Sequence, residues 1–120
     1  MFHMHSVFDL KPQVSPACFE AAWDALIAHL MAADLVVSGS ALSERRSSSP
    51  LDTDEDRGHS FFIVMTFRDK AQSDAAYAAI EAHVEPTAHL HVTVLGMVTE
   101  AIFTCWEDRV PEGLPAVQGR

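Results

Sequence analysis

The chain is poor in cysteine. Cys18 and Cys105 are its only two, and no C-x-x-C pair occurs. That excludes a disulfide scaffold, a zinc ribbon and a thioredoxin-like redox centre. Basic residues are also scarce: Lys and Arg number 8 against 17 Asp and Glu, for a formal net charge of -9. Such a chain repels phosphate backbones and anionic lipid alike, so neither nucleic acid nor a membrane surface is an expected partner. No apolar run approaches the roughly 18 residues that a membrane-spanning helix needs. The opening MFHMHSVFDLKP lacks the basic stretch and apolar core of a signal peptide. The expectation is a reduced, cytoplasmic protein. G-x-S-x-G, P-loop and G-x-G-x-x-G motifs are missing too, which removes the common hydrolase and nucleotide-binding signatures. No motif calls for a cofactor, and no internal repeat is visible.

What remains is a chain of 120 residues, 48% apolar and 21% charged. That is globular composition at the length of one domain, here taken as 1–120. Residues 2–10 alternate with period two and predict a strand, ended by Lys11-Pro12. Ser15-Pro16 is a helix start, with serine as cap and proline in the first turn. Phe19, Trp23, Leu26, Ile27 and Leu30 then recur at helical spacing, and the helix is expected to end near Asp34. Residues 35–46 predict a weaker strand with Gly39 as a bulge. The polar 47–58 segment, SSSPLDTDEDRG, has no apolar period and predicts a mobile surface loop.

Residues 60–68 predict the strongest strand. Asp69 and Gln72 then form an acidic variant of the capping box, and the helix they open is expected to place Tyr77, Ile80 and Val84 on one face. Residues 87–98 fit either a strand or a short helix, and 100–107 predict the last strand. The order is β-α-β-β-α-(α)-β, the split βαβ pattern of an α+β ferredoxin-like fold: a four-stranded antiparallel sheet with two main helices on one face.

Alternation divides each strand into faces. Phe2, Met4, Phe8 and Leu10, then Phe61, Ile63, Met65 and Phe67, then Ala101, Phe103 and Cys105 are expected under the helices. The other face mixes His3, His5, Val7 and Asp9 with Phe62, Val64, Thr66, Arg68, Ile102, Thr104 and Trp106. A sheet face open to water does not carry so many large apolar groups, so a second copy of the chain is expected to cover it. The expected homodimer interface exceeds about 1,000 Å².

Four segments carry a resemblance. They are His5-x-x-Phe8-Asp9-Leu10-Lys11-Pro12, the pair Arg45-Arg46, Phe67-Arg68-Asp69-x-Ala71-Gln72-x-Asp74-Ala75-Ala76, and Phe103 to Asp108. The strand pattern resembles the dimeric α+β barrel superfamily, which includes stress-responsive barrel proteins and small cofactor-independent monooxygenases. The four segments are similar to a small family of uncharacterised bacterial proteins. The resemblance implies the fold and a short helix near 87–97. It implies no activity.

The candidate site is the mixed sheet face: His5, Asp9, Thr66, Arg68, Thr104 and Trp106. Asp9 and Arg68 lie on strands expected to be neighbours, and a carboxylate and guanidinium within reach would pair. One reading is a pocket for a small apolar or aromatic molecule. A second is a cofactor-independent monooxygenase- or isomerase-like enzyme with His5 as the proton-transfer group. A third is a structural homodimer whose cavity is filled by its own side chains. If the ligand is anionic, Arg68 or the pair Arg45-Arg46 is expected to receive it. Metal is not expected. His3 and His5 share a strand face at i, i+2 but lack an evident third ligand, with His59 and His83 the nearest candidates. His89 and His91 align only if their segment is a strand. Asp52-x-Asp54-x-Asp56 begins like a calcium loop, but Arg57 stands where glycine is needed and Ile63 where the bidentate glutamate belongs. Cys105 is expected to be an inert thiol beneath the helices.

Overall fold

The structure, a computed structural model, describes residues 1–111, so the last nine residues of the expected 1–120 domain lie outside it. Five strands and three helices follow in the order β1 (Phe2–Leu10), α1 (Pro16–Ala32), β2 (Ser38–Gly39), β3 (Ser43–Glu44), β4 (Phe61–Phe67), α2 (Lys70–Glu81), α3 (Thr87–Leu95) and β5 (Val98–Glu107). The sheet is antiparallel in the order β2-β4-β1-β5, with β3 also paired to β4. β2 meets β4 at Thr66 and Met65, and β3 meets it at Phe62 and Phe61. The expected second strand therefore exists as two short pieces along one edge. This is the α+β ferredoxin-like layout, with one strand position split in two.

The split has a steric cause. A Cβ on Gly39 would lie 2.6 Å from Ile27 Cγ1 and 2.9 Å from Trp23 Cζ2. Glycine lets α1 press against the edge strand here, and Trp23 Nε1 donates to the Ser40 carbonyl at 2.8 Å. The chain then leaves β4 and rejoins it at Ser43.

Both long helices start as the sequence predicts. The Ser15 hydroxyl accepts from Cys18 N with Pro16 in the first turn, and the Asp69 carboxylate accepts from Gln72 N. Gln72 Oε1 accepts from Arg68 N at 2.8 Å, while its amide donates to the Asp34 carbonyl at 3.0 Å. The buried glutamine thus ties α2 to the end of α1. That end is closed by Asp34 at φ 57, with Leu35 N–H returning to the Leu30 carbonyl at 2.8 Å. Residues 87–95 are helical, as the resemblance implies. On that helix His89 and His91 do not share a face.

The core lies between the helices and one sheet face. Phe19, Trp23, Leu26, Ile27 and Leu30 of α1 pack with Phe8 of β1 and Ile63, Met65 and Phe67 of β4, joined by Ala76 of α2 and Val94 of α3. The face assignment for β1 and β4 follows the alternation. The cover over β5 is thinner than expected. Phe103 is 51% exposed and Cys105 is also exposed, because no helix sits over that half of the strand. Tyr77 and Val84 are likewise exposed. The strip of α2 that reaches the core holds Gln72 and Ala76 instead.

One irregularity sets the start of β5. Val7 pairs with Ile102, but Asp9 pairs with Thr99, so β5 carries one extra residue between them. Glu100, at φ 59, lies in that bulge. A bulge flips the alternation. Val98 therefore packs against the core together with Ala101, although two even-numbered residues downstream, Ile102 and Trp106, lie on the opposite face.

Candidate functional site

The helix-free face of β1, β4 and β5 contains a recess of about 390 Å³. Its floor is Val7, Phe62, Ile102 and Trp106 around His5. His5 sits edge-on to Phe62, with ring centroids 5.4 Å apart, and 6.2 Å from Trp106. Thr104 lies directly across from His5 on β5 and accepts from Trp106 Nε1 at 2.9 Å. Among the described residues neither ring nitrogen of His5 has a protein partner. Ile102 and Trp106 are 44% and 59% exposed, so this apolar floor has no cover among the described residues.

Three of the six expected site residues, His5, Thr104 and Trp106, therefore come together. The other three lie elsewhere, and the register explains why. β1 and β4 pair from Phe2–Phe67 to Phe8–Phe61, so Asp9 is past one end of the ladder and Arg68 past the other. Six residues of strand separate the ends, about 20 Å, and no Asp9–Arg68 ion pair forms. Asp9 accepts the backbone N–H of Ser60 at 2.9 Å. Arg68 pairs with Asp34 at 3.3 Å and with Asp69 at 3.9 Å. Thr66 sits opposite His3 and is hydrogen-bonded to its Nδ1 at 3.1 Å.

The polar wall comes from residues that alternation could not place. The 47–58 segment is a surface loop without helix or strand, as the sequence predicts, and it is folded around Arg45. Arg45 Nε and Nη2 donate to the two oxygens of Asp52 at 2.7 and 2.8 Å. Nη2 also donates to the Asp54 carbonyl at 2.6 Å, and Nη1 donates to the Arg57 carbonyl. A planar guanidinium has the donors for all of these at once. Asp54 in turn accepts from Asp56 N and Arg57 N and pairs with Arg57 Nη1 at 2.8 Å. The Arg45 hydrogen bond holds the Asp52 carboxyl below its ordinary range. The two backbone and side-chain bonds from Asp56 and Arg57 do the same to Asp54. Two of the three calcium-like carboxylates, Asp52 and Asp54, thus face the chain's own arginines and amides. His59 completes the wall. Its Nε2 donates to the carbonyl of the bulge residue Glu100 at 2.6 Å, and its Nδ1 is buried without a partner.

His3, the other histidine of the N-terminal pair, is engaged elsewhere. His3 Nε2 donates to Asp108 Oδ1 at 3.0 Å, and its Nδ1 is hydrogen-bonded to the Thr66 hydroxyl at 3.1 Å. The N-terminal ammonium also reaches Asp108, at 3.5 Å, and these contacts hold the Asp108 carboxyl down. Among the described residues no three His, Cys, Asp or Glu side chains gather as a metal site. Among the described residues no helix is long and apolar enough to cross a membrane.

A second concavity, of about 400 Å³, lies on the helix side. Phe2, Met4, Met65 and Phe67 floor it, and Tyr77 and Ile80 of α2 form one bank. His91 and Cys105 also line it. Partial burial lowers the pKa of His91, and Cys105 is exposed here, not buried beneath the helices as expected.

Comparison with known proteins supports the fold. The structure is similar to that of an Arabidopsis thaliana protein (TM-score 0.66, 11% identity, 93% of this chain and 99% of that one). It is also similar to a mutant of SnoaB, a cofactor-independent oxygenase from Streptomyces nogalater (TM-score 0.64, 14% identity, 94% and 97%). A dimeric ferredoxin-like protein of unknown function from Jannaschia matches as well (TM-score 0.55, 17% identity, 90% and 100%). No curated protein matches the chain. A family model matches residues 1–111, and the chain belongs to that family, the family of unknown function DUF6614.

Proposed function

We propose that the protein is a one-domain homodimer, paired through the helix-free sheet face, that binds a small and largely apolar molecule in the recess on that face. The observation that carries this reading is the recess itself. An aromatic and aliphatic floor, a volume of about 390 Å³ and a few polar groups on one wall are the composition of a ligand pocket. Pairing supplies what the described residues lack, a cover over Ile102 and Trp106. Two structural neighbours are described as dimeric ferredoxin-like proteins, which supports the same mode of assembly. The net charge of -9 argues against nucleic acid as the partner, and two free cysteines are in keeping with a cytoplasmic setting.

A second reading has its own observation. His5 is a half-buried imidazole beside two aromatic rings and lacks a protein partner among the described residues. A ring so placed is able to move a proton on a bound molecule. The likeness to a cofactor-independent oxygenase is consistent with that use, and the site is then catalytic without a cofactor.

The test is a thermal-shift screen of neutral, anionic and cationic small molecules and divalent metals on wild type and His5→Ala, with light scattering on both. Binding predicts stabilising molecules and a dimer. Stabilisation that persists in His5→Ala argues for binding without an essential His5 contact. Product formed by wild type and lost in His5→Ala favours the enzyme. A dimer that no molecule stabilises leaves the third reading, a cavity filled across the interface.

A further inference from the structure

We infer that the molecule held in the sheet-face recess is an uncharged ring compound carrying one hydrogen-bonding oxygen, and that His5 and Thr104 read that oxygen. This rests on the proposal that the recess binds a small molecule, and it narrows the class of molecule.

Charge comes first. Arg45 is held by both oxygens of Asp52 and by the carbonyls of Asp54 and Arg57. Arg57 is paired with Asp54. Two guanidiniums and two carboxylates on one wall cancel. A ligand carboxylate would have to displace Asp52 from a two-point fork, inside a chain whose net charge is -9. A ligand ammonium would lie against Arg45 and Arg57, with both carboxylates already engaged. An uncharged molecule disturbs neither pair.

Shape and hydrogen bonding come next. The rings of Phe62 and Trp106 lie on either side of His5, a floor suited to a flat apolar body. The Thr104 hydroxyl accepts from Trp106 Nε1 and so keeps its own proton to donate. Among the described residues both nitrogens of the His5 ring are open. His5 and Thr104 are directly opposed on β1 and β5, where Cβ atoms stand about 5 Å apart. One hydroxyl oxygen can therefore donate to the imidazole and accept from the threonine. Arg46 and Arg68, the other cations considered for an anionic ligand, are off the recess and paired, with Glu44 and Asp34 respectively.

Calorimetry at pH 7 on the full chain tests this with four probes that share one ring system: 2-naphthol, naphthalene, 2-naphthoate and 2-naphthylmethylammonium. We expect 2-naphthol to bind most tightly, by about tenfold over naphthalene, the worth of one good hydrogen bond. His5→Phe keeps a ring between Phe62 and Trp106 but removes both nitrogens. It should abolish the tenfold margin and leave naphthalene binding unchanged. Ile102→Trp, which fills the floor, should weaken both. Tighter binding of the naphthoate or the ammonium overturns the inference, as does a margin that survives His5→Phe. Binding untouched by Ile102→Trp places the molecule elsewhere and overturns it too. If the probes bind at this floor without regard to charge, only the inference fails. If none binds, the recess reading fails with it.

Discussion

Both faces of the sheet carry large apolar side chains, one almost without interruption and the other mixed with polar groups, and they have different fates. On one face Phe8, Ile63, Met65 and Phe67 are buried under α1 and α2. On the other, Phe62, Val64, Ile102 and Trp106 have no helix above them, and Trp106 stays 59% exposed. Side-chain chemistry does not distinguish these sets; the presence of a second layer does. Burial of apolar area stabilises a fold only where something is there to bury it against. The covered face therefore holds the monomer together, and the open face is available for a partner or a ligand. The half of β5 on the covered side shows the same rule at finer scale. Phe103 points to the helix layer, yet no helix reaches it.

The contrast can be broken at four points, in falling order of effect. Phe8→Ala on the covered face leaves a cavity beside Phe19, whose ring centroid is 5.1 Å away. It should cost about 3–5 kcal/mol in denaturant unfolding. A loss below about 1 kcal/mol would mean that the helices do not seal this face. Gly39→Ala pushes a methyl group into Ile27 and Trp23 and should cost about 1–3 kcal/mol by the same measurement. An unchanged midpoint would show that the edge strand can back away from α1.

On the open face, Trp106→Asp should turn dimer into monomer in light scattering and leave the far-UV spectrum of the monomer intact. A stable dimer with aspartate at this position would remove the face from the interface. The smallest effect concerns the Arg45 wall. The carboxyl of Asp52 has a lowered folded pKa, so the support it lends is present above the unfolded value and is lost as pH falls through the folded one. Protection of the 47–58 amides, taken relative to the intrinsic exchange rate at each pH, should therefore fall at acid pH before that of β1 and β4. In Arg45→Ala it should already be low at neutral pH. Protection that is unchanged in that variant would mean the segment holds itself without the clamp.

How much was legible beforehand differs between fold and site. Ser15-Pro16 and Asp69-Gln72 announce helix starts because capping is local chemistry. Alternation reveals both faces of β1 and β4 because side chains of a strand point to opposite sides in turn. The site was only half legible. His5, Thr104 and Trp106 share a face and meet, but a shared face says nothing about position along the ladder, and Asp9 and Arg68 were separated by the register. Arg45, Asp52, Asp54 and Arg57 were hidden because their contacts follow turn geometry rather than any period. The repeated Asp at 52, 54 and 56 was the available signal: the first two accept backbone N–H groups two residues on, a habit of aspartate in turns.

The sequence by itself determined the order of the main elements, the two helix starts and which residues of β1 and β4 lie on the same side. These depend on neighbours within a few positions. Tertiary structure alone decided the split of the second strand at Gly39, the bulge at Glu100 that turns Val98 inward, the clamp around Arg45 and the separation of Asp9 from Arg68. Each of these arises from contacts between segments far apart in the chain. Such contacts form only when packing and strand register bring those segments together, and no local pattern encodes that distance.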